Sequence, residues 1–72
     1  MIKVQGWREG FRKIDCNFLL RRYGDYSLSE AKQIVDNILG QEVVIIHISK
    51  EDEEEFCQEM NELGANCEIV QS

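Results

Sequence analysis

Three cysteines, one histidine and a dense set of charges are the residues of this chain that could do chemistry. Cys16, Cys57 and Cys67 are odd in number and widely spaced, with no C-x-x-C pair. That pattern fits neither a disulfide framework nor a redox motif, and it reads as free thiols. Reactive thiols need basic neighbours, and Cys57 has mostly acidic ones. His47 stands alone, with no Ser, Cys or Asp partner marked by a motif, so a structural role is expected for it. One His with scattered carboxylates gives no metal-ligand spacing. The expectation is a protein that is not an enzyme and carries no catalytic residues, metal or cofactor.

The charges say more. The net charge is -6, yet residues 1–32 hold seven Lys/Arg against four acids, a net of +3. Residues 33–72 hold one Lys against ten acids, a net of -9. Such a two-faced molecule orients its encounters with charged partners. Lys13, Arg21, Arg22 and Lys32, with Ile14, Phe18 and Tyr26 among them, suit a protein-binding face with a charged rim and an apolar centre; a plain solvated basic helix face is the other reading. The run Glu51, Asp52, Glu53, Glu54 and Glu55 complements a helix dipole. Alternatively it forms an acidic surface that imitates a nucleic-acid backbone or binds a basic protein. Direct nucleic-acid binding is not expected of so acidic a chain.

The elements that position these residues follow from periodicity. At 72 residues the chain is one domain, which buries about 60% of its unfolded surface. No apolar run approaches the roughly 20 residues of a membrane span. Met1-Ile2-Lys3-Val4 leads into polar sequence rather than an apolar leader, so the expected location is the cytoplasm. Ile2 to Trp7 alternates as a strand, with Ile2, Val4 and Gly6 on one face. Asp15 is the expected N-cap of a first helix running to about Arg22, with Ile14 and Leu19 as a hydrophobic staple. Gly24 is expected to stop it. Ser27 and Glu30 form a capping box for a second helix, Leu28 to Leu39, whose buried stripe is read as Leu28, Ala31, Val35 and Ile38. Val43 to Ile48 is a β-branched strand. Ser49 then caps a third helix that buries Phe56, Met60 and Leu63 and ends at Gly64. Asn66 to Val70 closes the chain as a strand.

The order is β-α-α-β-α-β. Two helices return the chain antiparallel to the first strand, and a single helix makes the last two strands parallel to each other. A three-stranded sheet with the first strand central satisfies both constraints. The fold class is therefore α+β, a two-layer sandwich with three helices on one face. Trp7, Val43, Ile45 and His47 fall on the other face. They form an exposed patch favouring a homodimer, unless the 8–12 loop folds over Trp7.

Four stretches together resemble a known family. They are Ser27 to Val35, Val43 to Ile48, Ser49-Lys50-Glu51-Asp52, and Leu63-Gly64-Ala65-Asn66-Cys67-Glu68-Ile69-Val70. They are similar to the C-terminal domain of the bacterial ribosomal large-subunit stalk protein, the L-seven/L-twelve type. Landmarks shared with that family are Glu30-Ala31-Lys32, the Ser-Lys-Glu/Asp start of the last helix and Gly64-Ala65. The resemblance implies the same fold and a domain that binds translational GTPases or ribosome-associated factors. It places that contact on the first two helices, at Lys13, Ile14, Arg21 and Lys32. Asp25-Tyr26-Ser27-Leu28 replaces the family's Gly-Leu-Gly-Leu, Ser29 replaces a lysine, and Asn17-Phe18 replaces an apolar/Lys pair. With no dimerisation segment or hinge, the chain is expected to be a free-standing stalk-like domain. The Clp protease adaptor has a similar fold, but its Asn-Asp-Asp helix start is absent.

Overall fold

A computed structural model describes residues 1–70. The elements are β1 (Ile2–Trp7), α1 (Lys13–Gly24), α2 (Leu28–Leu39), β2 (Val43–Ile46), a 3-10 turn (Lys50–Asp52), α3 (Glu53–Leu63) and β3 (Ala65–Ile69). The sheet order is β2-β1-β3, with both outer strands antiparallel to β1. The expected order and central first strand are both present. No helix among the described residues is long and apolar enough to cross a membrane.

The inner sheet face carries Ile2, Val4, Val44 and Ile46, all buried. The helices lay Cys16, Leu19, Leu20, Ala31, Val35, Ile38, Phe56, Met60 and Leu63 against it. These side chains form one core, and burial of their apolar surface is the main stabilising force. Tyr23 packs edge-on against Phe56, with ring centroids 5.7 Å apart. Its hydroxyl donates to Glu59 at 2.6 Å, so the polar end of a half-buried ring is satisfied.

Several boundaries differ from the sequence reading. α1 starts at Lys13, two residues before the expected Asp15 cap, because its start is set by tertiary bonds. Arg12 N–H donates to the Leu63 carbonyl at 3.0 Å, while the Arg12 carbonyl accepts from Cys16 N–H at 3.0 Å. Asp15 instead pairs with Arg12 at 3.3 Å. Ile14 is 79% exposed, so there is no staple. Gly24 closes α1 as its last residue, and Asp25 takes the left-handed conformation after it (φ 57). β2 ends at Ile46, which is in register with Ile2 at the start of β1; the next residue, His47, turns its N–H outward to the Tyr26 hydroxyl at 3.1 Å. Ser49 precedes the 3-10 turn rather than α3 and makes no side-chain cap bond. β3 is shifted one residue earlier than expected.

α2 is capped as the sequence implies. Ser27 Oγ accepts from Glu30 N–H at 3.1 Å, and Glu30 Oε1 accepts from Ser27 N–H at 2.9 Å. The backbone bond holds the Glu30 carboxyl below the usual carboxylate range. The Leu63–Gly64 corner is laced to the 8–12 loop: Arg8 N–H donates to the Gly64 carbonyl at 2.7 Å. Gly64 has φ +103, and a Cβ there would lie 3.0 Å from Phe11 Cα. Asn61 completes this end of the molecule. Its amide donates to the Cys67 carbonyl at 2.9 Å and accepts from Cys67 N–H at 3.1 Å, gripping the outer edge of β3.

Candidate functional site

α1 and α2 form a helical hairpin joined by the short 25–27 turn. Between them lies a groove of about 520 Å3. Its apolar floor and walls come from Ile14 and Phe18 on α1 and Leu28 on α2. These are 79%, 53% and 63% exposed, an unusual concentration of large apolar side chains on so acidic a chain. Lys13, Arg21 and Lys32 surround them. Arg21 is steadied by Asn17, whose Oδ1 accepts from its Nε at 2.9 Å. Asp15 and Asp36 also line the groove; the Asp15 charge is offset by Arg12. A cationic rim around an apolar centre suits an amphipathic segment of a protein carrying acidic groups.

The structure thus brings together Lys13, Ile14, Phe18, Arg21 and Lys32. Two other candidates lie outside this groove. Arg22 stands over the Tyr23 ring, 5.4 Å from its centroid, and borders a second groove with Phe18, Glu59 and Glu62. Tyr26 is a half-buried strut: its ring occupies the space beside Gly24 and its hydroxyl holds His47 N–H. The spacing of Leu28 with Ala31, Val35 and Ile38 places it on the core stripe of α2. Instead its side chain is 63% exposed and lines the groove. The only signal for this was the capping box, which places Leu28 at the first helical residue.

The acidic run does not form one surface. Glu53 is buried, at 8% exposure, and its carboxylate accepts from the Met1 amine. Asp52 is half-buried, leaving Glu51, Glu54 and Glu55 exposed. Placing Glu53 on an acidic surface is therefore corrected: it faces inward at the start of α3, where its charge also meets the helix dipole.

Cys16 is buried beside Met60, with sulfur atoms 3.7 Å apart, and burial pushes its thiol up to about 12. Burial and the neighbouring Cys57 push the Cys67 thiol up as well. Neither of these two thiols is poised as a nucleophile. Among the described residues, no group of three or more His, Cys, Asp and Glu side chains could hold a metal ion. His47 is exposed. Trp7 donates from Nε1 to the Leu39 carbonyl at 3.2 Å and packs on Phe11 with centroids 6.2 Å apart. The 8–12 loop therefore partly covers it, and the ring stays 36% exposed.

No protein family, curated protein or solved structure matches this chain.

Proposed function

We propose that this protein is a non-enzymatic interaction module that binds an apolar, acid-flanked segment of a partner protein in the α1/α2 groove. The observation that carries this reading is the juxtaposition of exposed Ile14, Phe18 and Leu28 inside the Lys13, Arg21 and Lys32 rim. Apolar contacts of this kind supply most of an interface's affinity, and the charged rim sets orientation and on-rate. The resemblance to the ribosomal stalk domain makes a translational GTPase the first partner class to test.

The alternative, an inhibitor or nucleic-acid mimic acting through α3, has less support. Burial of Glu53 leaves a thinner surface of Glu51, Glu54 and Glu55.

The test is titration of a purified translational GTPase with three forms of the protein. Phe18→Ala is expected to weaken binding at least about tenfold, in the range of a central apolar anchor. Arg21→Glu with Lys32→Glu is expected to weaken it and to remove its salt dependence. Glu54→Lys with Glu55→Lys is expected to leave it unchanged. Binding that survives both groove variants and disappears in the acidic one overturns the reading.

A further inference from the structure

The two edges of the sheet are treated differently. On the β3 edge, Asn61 occupies both backbone groups of Cys67. On the β2 edge, alternation along the strands decides which groups are free. Cys67 turns its N–H and C=O away from β1 toward Asn61, so the Val4–Cys67 pair exchanges no ladder bonds. Val4 therefore points its own groups at β2, where it is in register with Val44. Val44 and Ile46 face β1, and the N–H and C=O of Val43 and Ile45 face outward. His47, in phase with them, also faces outward, and Tyr26 takes its N–H. Among the described residues nothing bonds the Val43 and Ile45 groups. Their side chains are 53% and 44% exposed. The strand Val43–Ile46 carries no charge, proline or bulge, the devices that normally guard an edge.

We infer that this edge is a self-association site, where β2 pairs antiparallel with β2 of a second copy about a two-fold axis at Val44. Free main-chain donors and acceptors with outward apolar side chains call for another extended strand. The local geometry selects the register. Centring on Ile45 sets Val43 opposite His47, whose N–H is already held by Tyr26. Centring on Val43 sets Ile45 opposite Gln41, which is left-handed (φ 66) and donates its N–H to the Ile38 carbonyl. Centring on Val44 pairs Val43 of each copy with Ile45 of the other and uses the outward N–H and C=O of both residues on both edges. It also packs the two apolar side chains against each other across the seam.

Charge agrees with a second copy as occupant. The acidic helix α3 packs against β3, and the β2 and β3 strands are two strand spacings apart, about 10 Å. The helix behind β2 is α2, whose exposed charges are mixed: Glu30, Lys32 and Asp36. The copies thus meet at their least charged edge. The resulting six-stranded sheet leaves the α1/α2 groove open, so the inference is independent of the function proposed above.

The experiment is solution mass combined with amide hydrogen exchange on the full chain, from micromolar to millimolar concentration. The expected result is a rise in mass from monomer to dimer. Exchange at Val43 and Ile45 should slow at least about tenfold with concentration, while Val44 and Ile46, already bonded to β1, should not change. Ile45→Lys places a charge on the seam without touching the core and should give a monomer. Ile45→Pro removes only the outward N–H, a substitution edge strands tolerate, and should do the same; the protected Val44 amide reports that either variant is folded. A protein that stays monomeric at millimolar concentration overturns the inference. So does a dimer that persists in folded Ile45→Lys, or one whose formation leaves Val43 and Ile45 exchange unchanged.

Discussion

Gly64 and Gly10 allow the cost of a left-handed residue to be separated from the cost of a collision. Both have positive φ, +103 and +89. A Cβ at Gly10 meets nothing within 4 Å, whereas at Gly64 it meets Phe11 Cα at 3.0 Å and Phe11 N at 3.3 Å. Those are backbone atoms, held by the bonds of Arg8 to Gly64, Phe11 to Arg8 and Arg12 to Leu63, so the loop cannot give way without losing hydrogen bonds. Gly10→Ala is expected to cost only the backbone term, about 1–2 kcal/mol. Gly64→Ala adds an overpacking term of about 1–3 kcal/mol, for a total near 3 kcal/mol. A chain of this length has about 4–11 kcal/mol of stability. Its unfolding entropy of about 0.15 kcal/mol/K converts 3 kcal/mol to a fall in Tm of roughly 20 °C, against about 10 °C for Gly10→Ala. Thermal unfolding followed by circular dichroism reads both. Equal falls in Tm would refute the reasoning, because they would mean that the 8–12 loop yields freely at the Leu63–Gly64 corner.

Asn61→Leu should cost about 1–2 kcal/mol by urea denaturation, since the half-buried Cys67 N–H and C=O lose their partner. It should also promote higher-order association by freeing the β3 edge. Glu30 has a lowered native pKa, so it contributes stability above its unfolded value near 4.3, lost as pH falls through the native pKa. Glu30→Gln should flatten the acid limb of a stability-against-pH curve. Tyr23 behaves oppositely: the hydrogen bond to Glu59 raises its pKa. Its contribution is present below the unfolded value near 10 and is lost as pH rises above it. Tyr23→Phe should flatten the alkaline limb and remove the late tyrosinate absorbance step. Thiol alkylation near pH 8 should be slow at Cys16 and Cys67 in the native protein and fast after unfolding, read by mass spectrometry.

The fold was legible because its signals were local and mutually consistent. Ser27 and Glu30 cap α2, Gly64 ends α3, and alternation from Ile2 to Trp7 marks a strand with one buried face. Connection lengths then left one strand order. What was not legible depended on partners distant in sequence. The start of α1 is fixed by the Leu63 carbonyl rather than by Asp15. The outward His47 N–H is taken by the Tyr26 hydroxyl, and Glu53 turns inward to the Met1 amine. At the groove, residue types pointed to Lys13, Ile14, Phe18, Arg21 and Lys32. Periodicity places Leu28 on the buried stripe of α2, whereas its side chain is exposed in the groove.

The central position of β1 also governs how the molecule is made. The strand synthesised first has both partners late in the chain: Ile2 pairs with Ile46 on one side and Ile69 on the other. Contacts so far apart in sequence close slowly, because the loop entropy comes before the ladder bonds. At about 5–20 residues per second of synthesis, the interval between Ile46 and Ile69 lasts on the order of seconds. During it α1, α2, β1 and β2 can meet, but β1 still has one bare flank. The nascent chain therefore presents an unfinished sheet to its surroundings, and only emergence of β3 completes it.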